Sequence, residues 1–121
     1  MTAMSGSSKQ ARWISVAKAA DLVAETPKVI ALENVRVALI KTEGGENTPH
    51  LGIYCIEDVC THDEGPMAEG PVEGEVIECP RHGAKFNIKT GAVLSMPAIT
   101  PIRTFPVRVI DSKVEIDVSS I

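Results

Sequence analysis

The chain has 121 residues, a formal charge of −4, 44% apolar residues and 23% charged ones, which fits one domain with one core and excludes wholesale disorder. Net acidity and a set of aromatics limited to Trp13, Tyr54, Phe86 and Phe105 argue against nucleic acid, which calls for clustered Lys and Arg and for stacking faces. No apolar run approaches the roughly twenty residues of a spanning helix, and residues 1–8 hold no basic n-region, apolar h-region or twin-arginine pair, so a cytoplasmic protein with no membrane contact is expected.

Residues 1–10, rich in Ser and Gly, read as a frayed tail ahead of one domain over 11–121. The pattern at 12–16 predicts a first strand. The Ala-rich stretch 17–25, closed by Thr26-Pro27, predicts a short helix. Segments 28–32 and 35–41 are β-branched and flank Glu33-Asn34, which predicts a hairpin with Asn at positive φ. Turn residues fill 42–50, an expected exposed loop, and strand pattern resumes at 51–56. From 57 to 102 the chain is dense in Gly and Pro, with short strands such as 76–79 and 85–88. Segments 103–110 and 113–118 then predict a closing hairpin around Asp111-Ser112. The fold class is therefore all-β: a small antiparallel domain into which 57–102 is inserted as a subdomain.

That insertion carries the chemistry. Cys60-Thr61-His62 stands at one end and Cys79-Pro80-Arg81-His82 at the other, sixteen residues apart. Two Cys and two His are enough ligands to close one metal site. Each Cys–His pair is two or three residues apart on a turn, so one loop can aim both side chains at one point. Gly65 and Gly83 beside the pairs let backbone N–H groups approach sulfur. The same four ligands could hold zinc, although zinc sites usually begin with C-x2–4-C.

The sequence resembles Rieske-type [2Fe–2S] ferredoxins, the electron carriers of ring-hydroxylating dioxygenase systems. The resemblance rests on Cys60-Thr61-His62-Asp63-Glu64-Gly65-Pro66, Cys79-Pro80-Arg81-His82-Gly83-Ala84-Lys85-Phe86-Asn87, Lys89-Thr90-Gly91 and Met96-Pro97-Ala98, and covers most of 11–118. It implies a Rieske-like β domain with an inserted cluster-binding subdomain. It also implies a [2Fe–2S] cluster in which Cys60 and Cys79 hold one iron and His62 and His82 the other, with 96–98 as a covering loop. By the same resemblance the chain is no enzyme but a monomeric carrier. It would pass single electrons from an NAD(P)H-dependent flavin reductase to a terminal oxygenase. Two other readings stand beside this one: the small subunit of a nitrite reductase-like enzyme, and a zinc-stabilised interaction module.

With two neutral imidazoles the oxidised core is formally uncharged, so it accepts an electron more readily than an all-cysteine core. High-potential relatives carry an extra Cys in each cluster loop and a Ser and a Tyr whose hydroxyls donate to cluster sulfur. Here those places hold Gly65, Arg81, Ala84 and Phe86. Fewer donors leave the reduced core less stabilised, which places the expected potential on the order of −150 mV, at the low end for this cluster type. Packing by Met67, Val72, Phe86 and Leu94 is expected to brace the loops instead.

Cys55 alternates with apolar neighbours and is expected to be a core residue, Trp13 a core anchor and His50 a solvated loop residue. Arg81 reads equally as a solvated loop residue or as a contact for a partner at the ligand tip. Eight of the sixteen acids (Glu57, Asp58, Asp63, Glu64, Glu69, Glu73, Glu75 and Glu78) lie between 57 and 78 with no Lys or Arg among them. They form either a solvated surface or a transient docking surface for basic partners.

Overall fold

The computed structural model describes residues 10–32, 35–42, 52–59, 66–80, 83–96 and 100–120. Its strands are β1 (Trp13–Lys18), β2 (Lys28–Ala31), β3 (Arg36–Lys41), β4 (Ile53–Glu57), β5 (Val72–Glu73), β6 (Val76–Glu78), β7 (Lys85–Asn87), β8 (Val93–Ser95), β9 (Thr104–Phe105), β10 (Val107–Ile110) and β11 (Lys113–Asp117). They form three sheets ordered β1-β11-β10, β2-β3-β4-β9 and β5-β6-β7-β8. Every pairing between these strands is antiparallel.

The unbroken apolar runs of β3 and β4 decide how the sheets stack. Val37 to Ile40 and Ile53 to Ile56 are all buried. Side chains alternate along a strand, so a run with no polar residue belongs to a strand covered on both faces. Val37, Leu39, Ile53 and Cys55 enter a core shared with Phe105, Val114 and Ile116. Ala38, Ile40, Tyr54 and Ile56 enter a second core with Met67, Ile77, Cys79 and Phe86. The single core expected from length is thus two, back to back across the β2-β3-β4-β9 sheet. Burying each such aliphatic or aromatic side chain contributes about 1.5–3 kcal/mol.

The closing hairpin forms, β10 on β11, but the strand expected over 103–110 breaks at Pro106, which has no N–H to continue a ladder, and Thr104–Phe105 pairs with β4 as β9. Asp111 and Ser112 take φ of 53° and 67°, the two positive values of a type I′ turn, whose twist matches that of paired strands. The helix expected at 17–25 does not form. β1 continues through Lys18, and only one 3-10 turn (Ala19–Asp21) follows, with no side-chain cap at its N-terminus. Ala17 and Lys18 pair instead with Val114 and Lys113. A stretch this short cannot hold a helix by itself, and ladder bonds to β11 capture its first turn. Trp13 is half-buried rather than a core anchor, with the Arg108 guanidinium 4.2 Å from its ring centroid.

Strands β5 and β8 were not anticipated. β8 carries a bulge: Lys85 faces Ser95 and Phe86 faces Val93, so Leu94 is the extra residue. Leu94 is therefore 49% exposed instead of bracing the loops, whereas Met67 and Phe86 are fully buried and Val72 packs against them. Apart from Gln10, the expected tail lies outside the described residues, as do Glu33-Asn34 and His50.

Candidate metal centre

Cys79 directly follows β6, and its thiol is free and buried. The loop it opens is clamped at both ends. The Cys79 N–H donates to the Ala84 carbonyl at 2.7 Å, and the Gly83 N–H donates to the Cys79 carbonyl at 3.0 Å. Gly83 takes φ +79°, a conformation that disfavours any residue with a Cβ. The β6–β7 ladder below, with Glu78 opposite Lys85, fixes where this loop leaves the sheet.

The first motif leaves from the end of β4. Asp58 closes the loop beyond it. Asp58 Oδ1 accepts from the Met67 N–H at 2.8 Å and the Ala68 N–H at 2.7 Å, and Oδ2 accepts from Arg36 Nη2 at 3.0 Å. The returning chain turns at Gly70, whose N–H donates to the Met67 carbonyl at 2.9 Å, and the Glu78 N–H then donates to the Pro71 carbonyl at 3.0 Å. Gly70 lies so close to Glu78 that a Cβ there would overlap the Glu78 carbonyl oxygen. Met67, which follows the first loop, shares one core with Cys79 and Ala84, which flank the second. The described residues that flank the two motifs therefore meet in one packed base. At the β7–β8 edge, Ser95 Oγ accepts from the Lys85 N–H at 3.1 Å.

Of the four expected ligands, Cys79 is placed. Cys60, His62 and His82 lie outside the described residues, as do Gly65, Arg81, Pro97 and Ala98. Among the described residues no group of three or more His, Cys, Asp or Glu side chains forms another metal site. Cys55 faces the other core, away from Cys79. Burial pushes its thiol up to about 12, which favours the protonated form. The two places where a hydroxyl would donate to cluster sulfur are Ala84 and Phe86, both fully buried and without a donor.

Among the described acids of the 57–78 run, Glu57 and Asp58 pair with arginines. Asp58 is buried, and Glu57 pairs with Arg103 at 3.4 Å. Glu69, Glu73 and Glu75 are exposed. Sequence reasoning placed Asp58 on a solvated or docking surface. The signal it passed over is an Asp at a strand end just before a loop, where such a side chain caps backbone N–H groups.

A Rieske [2Fe–2S] domain model matches residues 12–106, and the chain belongs to that family. The chain is 32% identical over 108 residues to the ferredoxin component of the naphthalene 1,2-dioxygenase system of Pseudomonas putida, covering 89% of this chain and 97% of that one. It is 42% identical over 94 residues to the 3-phenylpropionate/cinnamic acid dioxygenase ferredoxin subunit of Shigella boydii, covering 77% and 76%. Among solved structures it resembles the ferredoxin in a complex of reduced oxygenase and oxidised ferredoxin of carbazole 1,9a-dioxygenase, with TM-score 0.76 and 31% identity over 87% of this chain and 92% of that one. As a Rieske protein the chain carries a [2Fe–2S] cluster. The free thiol of Cys79, on a backbone held by the Ala84 and Gly83 hydrogen bonds, fits that group. No helix among the described residues is long and apolar enough to cross a membrane.

Proposed function

We propose that this chain is a ferredoxin that takes single electrons from an NAD(P)H-dependent flavin reductase and delivers them to a terminal oxygenase. The observation that carries this reading is the extent of the match: alignment spans 97% of a ferredoxin component of a dioxygenase system. In the proposal, Cys60 and Cys79 hold one iron and His62 and His82 the other. The cluster, when bound, supplies one-electron redox chemistry.

The chain's own residues position, shield and tune. Cys79 is held by the Ala84 and Gly83 backbone bonds, so its sulfur needs little rearrangement on ligation. Phe86, Met67 and Ile77 exclude water beneath it. Ala84 and Phe86 withhold the hydroxyl donors that would raise the potential. We also take residues 11–121 as one Rieske domain whose cluster-binding insertion spans about 57–102. The carrier works as a monomer in the cytoplasm and has no catalytic residues of its own.

Purified protein is expected to be red-brown and to give a rhombic paramagnetic signal only after reduction. Its midpoint by protein-film voltammetry is expected on the order of −150 mV; a midpoint above zero overturns the low-potential assignment. Replacing Cys60, His62, Cys79 or His82 singly by Ala is expected to abolish the colour. Retention of the cluster in Cys79→Ala contradicts the ligand assignment.

A further inference from the structure

Asp58 carries more than an ordinary surface carboxylate does. Its side chain is fully shielded while that of its partner Arg36 is 59% exposed, so the structure commits a charge to the interior where an isolated one is costly. Among the described residues its carboxylate accepts from two targets. One is the Met67 and Ala68 N–H pair, where the first motif loop returns; the other is Arg36 on β3. The Asp58 N–H is itself fixed on the Arg36 carbonyl at 2.8 Å. One residue thereby locks the exit and the return of the loop to the base sheet. From Met67 the path continues through the Gly70 turn and Pro71 to Glu78, the residue before Cys79.

We infer that Asp58 is a positioning residue for the cluster, a clasp that sets the first ligand loop against the second. The inference rests on the ligand assignment proposed above. Asp58 acts through the backbone on either side of the first Cys–His pair, at its own N–H and at Met67 and Ala68. It stands two residues before Cys60, which limits the distance between their Cα atoms to about 7 Å. At that range its charge also acts on reduction, which adds one electron to the site. Removing the anion favours reduction, and removing the partner cation disfavours it, more weakly because Arg36 is solvated and screened.

The test compares Asp58→Ala, Asp58→Asn and Arg36→Gln in the full chain loaded with its cluster. Asp58→Ala should lose its visible absorbance in excess chelator about 10–100-fold faster than the wild type. Asp58→Asn keeps an oxygen for the two N–H groups and should fall between the two. The midpoint should move positive in Asp58→Asn and negative in Arg36→Gln at equal iron content, a pair of opposite shifts that a merely structural contact would not produce. If Asp58→Ala does not fold, the midpoints of the other two variants decide. Cluster loss from Asp58→Ala at the wild-type rate, or midpoints moving in the same direction, would overturn the clasp. Failure of the ligand assignment shows elsewhere, as retained colour in Cys79→Ala.

Discussion

Two cysteines separate at the residue scale by what surrounds them. Cys55 lies mid-strand on β4, paired with Leu39 and Phe105 and sealed in the core below the middle sheet. Its thiol has no neighbour that would favour the thiolate, and burial drives it up to about 12. Cys79 is equally buried but follows the end of its strand, with its own N–H and carbonyl engaged by Ala84 and Gly83. Cys55→Ala is therefore expected to keep full iron content and an unchanged spectrum, and to lower stability by about 1 kcal/mol for the lost sulfur contact. Metal analysis and chemical denaturation check both; loss of iron in that variant would make Cys55 a ligand. This distinction was legible in the sequence, because alternation placed Cys55 among apolar neighbours and spacing placed Cys79 beside His82.

Single glycines and bulges govern how the elements meet. Gly70 lets the segment after the first loop lie directly on Glu78, so Gly70→Ala forces backbone apart where the two loops are joined. The expected result is a loss of about 1–3 kcal/mol, the usual range for overpacking, together with faster cluster release in chelator. Gly91 makes a similar approach to the Ile102 carbonyl, where the Ile102 N–H also donates to the Gly91 carbonyl at 2.9 Å. In the sequence both glycines read only as turn residues, since what they approach is distant along the chain. The same limit explains the mistaken helix at 17–25. Local composition favoured it, but β11 supplied a ladder from almost a hundred residues away. Leu94 erred for a different reason: the bulge in β8 shifts it out of the inward register, and no residue pattern announces a bulge there.

Charge organises the whole molecule. The run from 57 to 78 carries −8 in a chain of net −4, so the remainder is net positive. Folding divides that run. Glu57 and Asp58 are engaged with arginines of the base, while Glu69, Glu73 and Glu75 stay exposed. If these three steer a basic partner, coupled turnover with reductase or oxygenase should fall as salt rises, since exposed charges are screened beyond about 10 Å at 0.1 M. Replacing all three by Gln should slow turnover at low salt and matter little at high salt. Turnover indifferent to ionic strength would reduce the acids to a solvated surface.

The all-β class, the closing turn at Asp111-Ser112, the acidic segment and the spacing of Cys60, His62, Cys79 and His82 were legible along the chain. Those features are local, written in periods of two and in motifs of a few residues. Packing between distant segments set what they left open: β3 and β4 are covered on both faces and divide the interior into two cores. It also decided that Trp13 lies under Arg108 and that Asp58 leaves the surface to hold the first loop. Each depends on groups far apart in the chain meeting at hydrogen-bonding or van der Waals distance, and such a meeting has no trace in the order of neighbouring residues.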